Sequence, residues 1–276
     1  MGVTTPITYY GGKQRLSATI IERMPEHGLY AEPFVGGGAV FFNKTKSAVE
    51  VLNDTNRELI NFYKVVQQDF VSLEREISIS LHSRDLHRKA QVINSYPDMF
   101  NEIKRAWAIW VLSIQGFAGK LDSTWGYDIK KRTTSTKIMN KRNAFSEELA
   151  IRLQDVQIEC TDALNIIRSR DRDSSLFYCD PPYFNSNCGH YDGYTIEDFE
   201  MLLNVLAGIK GKFLLSSYPS AILDKYTKEH GWQFVKFDQK VSVANNSSKP
   251  AKTKVEVLTA NYDLTEVSEL YKQKSG

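Results

Sequence analysis

An apolar segment, Leu29–Phe34, runs through Val35 into three consecutive glycines, Gly36-Gly37-Gly38, and a helix-forming stretch, Ala39–Lys44, opens directly from them. A second apolar segment, Ala48–Leu52, follows and ends in Asn53-Asp54. Strand, glycine turn, helix, strand is the opening of a βαβ unit, which points to an α/β fold. Glycines at such a corner allow a sharp turn and let the backbone approach a ligand closely. The run matches G-x-G-x-x-G at its first two glycines, with Phe41 in place of the third. Asp54, sixteen residues beyond Gly38, ends the second strand, where a carboxylate accepts hydrogen bonds from both ribose hydroxyls of an adenosine-containing cofactor. A plain βα corner uses the same glycines, and the loop alone does not separate a dinucleotide from S-adenosylmethionine. Glu32, just ahead of it, favours the second: a carboxylate there repels a pyrophosphate at the helix N-terminus and tolerates a cationic methionine end. Its other reading is a strand-end carboxylate in solvent.

From Asn56 to about Ala108 the period changes, with Leu59, Ile60, Tyr63, Val66 and Phe70 at helical spacing. Gly116–Lys120 and Trp125-Gly126-Tyr127 then predict a glycine-punctuated loop or hairpin. Strands and helices alternate again from Val156. Ile158–Cys160, Leu176–Cys179, Phe213–Ser216 and Val255–Ala260 read as strands, with helices near Asp162–Ser169 and Thr195–Ile209, the latter opened by a Thr195/Asp198 capping box. The predicted organisation is an α/β domain in two parts, 1–58 and 146–276, interrupted by a mostly helical insert over 59–145.

Charge singles out the same insert. The formal net charge is only +2, but between Lys104 and Arg142 nine cations face Asp122 and Asp128 alone, which makes that stretch +7 and the remainder −5. Three of the four tryptophans lie there; Trp107 and Trp110 fall in an apolar helix and read as core. A basic block with aromatics is the footprint of a surface that meets phosphates, although charge alone fits a solvated helical face equally well. The longest apolar run, Ala106–Ile114, is too short to cross a bilayer. The N-terminus lacks a charged leader with an apolar core, and Pro6 stands where a myristoylation signal needs Ser or Thr. Cys160, Cys179 and Cys188 contain no C-x-x-C pair, so a cytoplasmic protein without disulfides or a membrane anchor is expected. Cys179, Cys188 and His190 lack a fourth ligand, and no metal is expected.

Asp180-Pro181-Pro182-Tyr183 is the sharpest motif. It follows the apolar Leu176–Cys179, at the carboxyl end of a strand, where open α/β sheets hold their ligands. Pro181 keeps Asp180 out of the helical region, and the second proline stiffens the turn. Such a turn holds a carboxylate and carbonyls ready for an amine that needs two acceptors, with an aromatic ring placed to stack on a planar base. A rigid turn with a surface Asp and a packed Tyr is the plainer alternative.

Four segments in order, Thr8-Tyr9-Tyr10-Gly11-Gly12-Lys13, Ala31–Gly38, Asn53-Asp54 and Asp180–Tyr183, resemble the motifs of the Dam-like DNA adenine (N6) methyltransferases, in the alpha arrangement of amino-methyltransferases. The resemblance spans essentially the whole chain. It implies a Rossmann-like, S-adenosylmethionine-dependent catalytic domain and a DNA-recognition insert. It implies that Tyr9, Lys13, Phe34, Gly36, Gly38, Asp54, Asp162 and Asp180 contact the methyl donor, and that Asp180, Pro181 and Tyr183 handle a flipped adenine. Phe213–Ser217 resembles the strand and turn that close the base pocket. Lys120, Trp125, Tyr127, Lys130, Lys131 and Arg132 are the expected DNA contacts, with Gln115, Lys120, Asp122 and Tyr127 as base readers and Phe117, Leu121 or Trp125 as a wedge. With Trp125-Gly126 set against the F-G of the loop in the GATC-reading branch, Ile114 and Gly116 stand in place of its Arg and Asn, so GATC specificity is not implied. A monomer acting on duplex DNA, with a cognate restriction endonuclease as possible partner, completes the expectation. Cytosine N4 or RNA amino-methylation are the alternatives. A Rossmann oxidoreductase leaves the D-P-P-Y turn unexplained, and a non-catalytic DNA-binding protein leaves the cofactor loop unexplained.

Overall fold

The structure is a computed structural model that describes residues 2–185, 193–240 and 253–275. The predicted opening is present: α1 (Ser17–Ile21), β1 (Leu29–Glu32), α2 (Ala39–Asn43) and β2 (Val49–Asn53). Next come α3 (Arg57–Gln68), α4 (Phe70–Ser78), α5 (Arg84–Ser95), α6 (Glu102–Gln115), α7 (Thr133–Asn143) and α8 (Glu148–Leu153), with no named strand among the described residues between them. Alternation resumes with β3 (Gln157–Glu159), α9 (Ala163–Arg170), β4 (Ser175–Cys179), α10 (Ile196–Ala207), β5 (Lys212–Ser217), α11 (Ala221–His230), β6 (Gln233–Lys240), β7 (Thr253–Ala260) and α12 (Leu264–Ser275).

The strands form one sheet in the order β3-β2-β1-β4-β5-β7-β6. The pairs β2·β3, β1·β4 and β4·β5 are parallel, and β7 runs antiparallel to both β5 and β6. β4 (SLFYC) is buried along its whole length, as a parallel strand covered on both faces requires. Its register sets Phe177 beside Ala31 and Phe213, with Cys179 beside Leu215, so the chain leaves β4 at Asp180. β6 was not foreseen. Its Lys236 and Asp238 interrupt the apolar pattern, as charges on an edge strand do.

Two compact units divide the chain: Met1–Ala18, Val35–Lys46 and Glu50–Thr161 in one, Thr19–Phe34, Ser47–Val49 and Asp162–Gly276 in the other. Helix α6 is the core of the first, buried from Arg105 to Gln115, and both Trp107 and Trp110 are buried as expected. A buried ion cluster braces the same unit. Glu50 of β2 takes Lys44 Nζ at 2.7 Å and Arg152 Nη2 at 3.0 Å, and the Arg152 guanidinium lies 3.6 Å from the Phe41 ring centre. In the second unit the predicted capping box opens α10, Thr195 and Asp198 bonding each other's backbone N–H. No helix among the described residues is long and apolar enough to cross a membrane.

Candidate active site

In the first unit the glycine corner closes on Tyr9. Gly36 and Gly38 hold φ of +47° and +63°, the left-handed region that glycine occupies without strain. Gly37 is required for a different reason: a Cβ there would stand 2.9 Å from the Tyr9 Cβ. The carbonyl of Gly36 accepts the Tyr63 hydroxyl at 2.7 Å, and its N–H donates to Asp54 Oδ2 at 3.0 Å. Asp54 also accepts the Asn56 N–H at 3.0 Å. Burial raises the Asp54 carboxyl above its ordinary range, and the backbone donors oppose that shift. Burial, and then the Asp54 charge, also push the Tyr9 phenol up. Asn53 is fully buried and exchanges two 3.0 Å bonds with the backbone of Thr161, one from its amide to the carbonyl and one accepted from the N–H. It thereby ties the end of β2 to the turn before Asp162, which caps α9 through the Leu164 N–H at 2.8 Å. Lys13 is buried and donates to the Gly11 carbonyl at 3.2 Å.

In the second unit the D-P-P-Y turn leaves β4 with Pro181 buried and Asp180 half-buried. The Tyr183 hydroxyl lies 3.1 Å from Asp180 Oδ1 and 2.7 Å from Glu256 Oε1, and its ring packs on Tyr218 at 4.4 Å. Tyr178, one residue before Cys179, shares a 3.0 Å bond with Ser216. Its phenol is held well above its usual range by burial first and then by the Asp180, Glu32 and Glu256 charges. Glu32 is buried at 2% exposure and accepts the Tyr30 hydroxyl at 2.6 Å, which corrects the solvent-carboxylate reading. Phe34 meets the edge of Tyr194 at 6.4 Å. Cys179 is buried with its thiol pushed up by burial; Cys188 and His190 lie outside the described residues.

The basic loop is more turn than hairpin: a single antiparallel bridge, Gly116 to Trp125, closes it around a short 3-10 turn, Phe117–Gly119. Gln115, expected as a base reader, is fully buried. Its amide donates to the Leu81 carbonyl at 2.8 Å while its oxygen takes the Ser83 N–H and Trp125 Nε1, both at 3.3 Å. Trp125 stacks on Tyr127 at 5.6 Å, and His82 packs on it at 4.9 Å. The Arg84 guanidinium, which the sequence did not single out, lies 4.9 Å from Trp125 and 5.8 Å from Tyr127. Phe117 and Tyr127 are more than half exposed, and Asp122, Lys130, Lys131 and Arg132 are exposed; Leu121 is half-buried. Lys120 is half-buried, with its ammonium 4.8 Å from the Tyr10 ring. Asp128 does not oppose these cations freely. Its carboxylate takes the Ser135 hydroxyl and the backbone N–H groups of Ser135 and Thr134, which hold its pKa far below the ordinary range and start α7.

Two residues of the D-P-P-Y neighbourhood, Glu256 and Tyr218, were not anticipated. Glu256 lies 73 positions from Tyr183, and only the antiparallel insertion of β7 beside β5 brings it there. An acidic residue inside the mostly apolar Val255–Ala260 was the available signal.

A family model described as D12 class N6 adenine-specific DNA methyltransferase matches residues 9–275. The DNA adenine methylase of Escherichia coli strain K12 is 25% identical, over 93% of this chain and 94% of its own length. The type II methyltransferase M.MjaIII of Methanocaldococcus jannaschii is 29% identical, over 72% of this chain and 76% of its own. M1.LlaDCHI of Lactococcus lactis subsp. cremoris, also a type II methyltransferase, is 28% identical over 68% and 69%.

Proposed function

The chain belongs to the D12 class N6 adenine-specific DNA methyltransferases, and from that premise we propose that it transfers a methyl group from S-adenosylmethionine to the N6 amine of an adenine flipped out of a specific duplex site. The donor supplies an electrophilic methyl group on a sulfonium. The residues present fit it: the glycine corner turns through the positive φ of Gly36 and Gly38, and Asp54 follows β2 with a carboxylate for the ribose. The buried carboxylate of Glu32 suits a cation and disfavours a pyrophosphate.

The amine of adenine is a weak nucleophile because its lone pair is delocalised into the ring. Asp180 and the Pro181 carbonyl each accept one of its N–H bonds, which draws the lone pair toward the methyl group. Positioning and fixed electrostatics supply most of the acceleration. Asp180 takes the proton only after the nitrogen has gained its methyl and become acidic. Tyr183, with Tyr218 against it, provides the aromatic wall for the extruded base, whose unstacking costs about a few kcal/mol.

In the insert over 59–145, Lys120, Lys130, Lys131 and Arg132 hold phosphates, and Trp125 and Tyr127 with Arg84 against them face the groove. The reading includes a monomer in the cytoplasm, and a cognate endonuclease against which methylation would protect. The observation that carries the reaction is the Asp180 carboxylate at the rigid turn beyond β4, with the Tyr183 hydroxyl beside it. Asp180→Ala is expected to abolish labelled methyl transfer to unmethylated duplex DNA and to leave the far-ultraviolet dichroism unchanged. Full activity in that variant overturns the assignment.

A further inference from the structure

The Tyr183 hydroxyl has two carboxylates within reach and one hydrogen to give. Asp180 Oδ1 is at 3.1 Å and Glu256 Oε1 at 2.7 Å. Glu256 is buried at 4% exposure, and its strand is fixed against β5 by the pairs Ser216–Leu258 and Ser217–Val257, so its backbone is held in place by the sheet. A phenol donates once and accepts twice. Where its hydrogen points therefore decides whether Asp180 meets a donor or a lone pair.

We propose that Glu256 is a positioning residue for methyl transfer, turning the Tyr183 hydrogen away from Asp180. The proposal rests on Asp180 being the group that receives the target amine. With the hydrogen on the shorter, charge-assisted contact to Glu256, Asp180 Oδ1 keeps its acceptor capacity for the substrate. The Tyr183 oxygen then presents a lone pair to Asp180. When the methylated nitrogen gives up its proton, one N–H bond breaks and one O–H bond forms on Asp180, and no other proton moves. The new Asp180 O–H finds an acceptor waiting in Tyr183, and the chain Asp180–Tyr183–Glu256 runs in one direction. After product leaves, Asp180 returns the proton to water. Without the Glu256 charge, the Tyr183 hydrogen turns to Asp180, occupies the acceptor and lowers its basicity.

The test is a double-mutant cycle on the full-length protein, with labelled transfer to duplex DNA. Glu256→Gln should lower kcat by about tenfold to a hundredfold, the scale of one charge-assisted hydrogen bond, and leave KM for DNA and donor within about twofold. In a Tyr183→Phe background, which has no hydroxyl to turn, the same change should have no further effect on kcat. An equal loss in both backgrounds, or a raised KM with kcat intact, overturns the proposal. If Glu256→Gln unfolds, Glu256→Asp takes its place, because drawing the charge back by one methylene must also act only when the Tyr183 hydroxyl is present. Activity surviving in Asp180→Ala overturns the underlying reading; loss there without coupling between 183 and 256 overturns this inference alone.

Discussion

Gln115 shows how a side chain suited to reading bases is used instead to build the loop beyond α6. Its amide satisfies Leu81, Ser83 and Trp125 at once from a fully buried position. Truncation leaves those groups without partners at about 1–3 kcal/mol. Gln115→Ala is therefore expected to lower the urea midpoint and loosen Trp125, without changing which sequence is methylated. Denaturant unfolding together with modification mapping by single-molecule sequencing checks this, and a shifted recognition site at unchanged stability contradicts it. At this scale the sequence was legible where chemistry and chain position coincide. Asp54 directly after β2 and Asp180 directly after β4 sit at strand ends, and strand ends are readable from apolar runs. Gln115 and Glu256 were not legible in the same way, because Leu81, Ser83 and Tyr183, which they meet, lie tens of residues away. Glu32 was not legible either, since polarity alone suggested solvent or a ligand for a carboxylate that is buried against Tyr30.

Elements were legible wherever a regular period carried them. Both strands of the opening unit, the capped α10 and the buried α6 follow directly from their patterns. α7 did not, because its first turn, Thr133–Thr136, has poor helix propensity and is started by Asp128 from outside the helix. The Lys44–Glu50–Arg152 cluster was equally hidden, since it joins the end of α2, β2 and α8 across more than a hundred residues. Burial alone would raise the Glu50 carboxyl, but bonds from Arg152 and Lys44 outweigh it and hold the pKa below its usual value. A carboxyl whose folded pKa is depressed stabilises the fold fully above its unfolded pKa, and that contribution fades as pH falls through the folded one. Glu50→Gln leaves two cations buried without their counter-charge and should cost about 3–5 kcal/mol at neutral pH. Urea unfolding at descending pH should show the gap between wild type and variant closing in acid, and a gap independent of pH would refute the electrostatic origin.

Over the whole molecule, the order of the motifs and the uneven charge were legible from the start, but the use of that charge was not. Of the nine cations between Lys104 and Arg142, several are engaged by the protein's own groups. Arg105 makes a two-pronged bond to Glu58 at 2.8 and 2.7 Å, Lys104 pairs with Glu76 at 2.8 Å, Arg142 donates to the Ser80 carbonyl at 2.6 Å, and Lys141 holds Thr5. Lys130, Lys131 and Arg132 are exposed beside the start of α7, where Asp128 is already engaged by helix N–H groups. A uniform basic face would lose DNA affinity equally wherever a cation is removed. An interface concentrated at 130–132 behaves differently. Each phosphate contact contributes about 0.9 to the slope of log K against log salt. Replacing Lys130, Lys131 and Arg132 together by Ala should therefore flatten that slope by about 2 to 3, and Lys104→Ala should leave it unchanged. Fluorescence anisotropy of a labelled duplex titrated across salt concentrations measures both. Equal flattening by the two variants would return the insert to a diffuse cationic surface, and no flattening by the triple variant would move the DNA elsewhere on the protein.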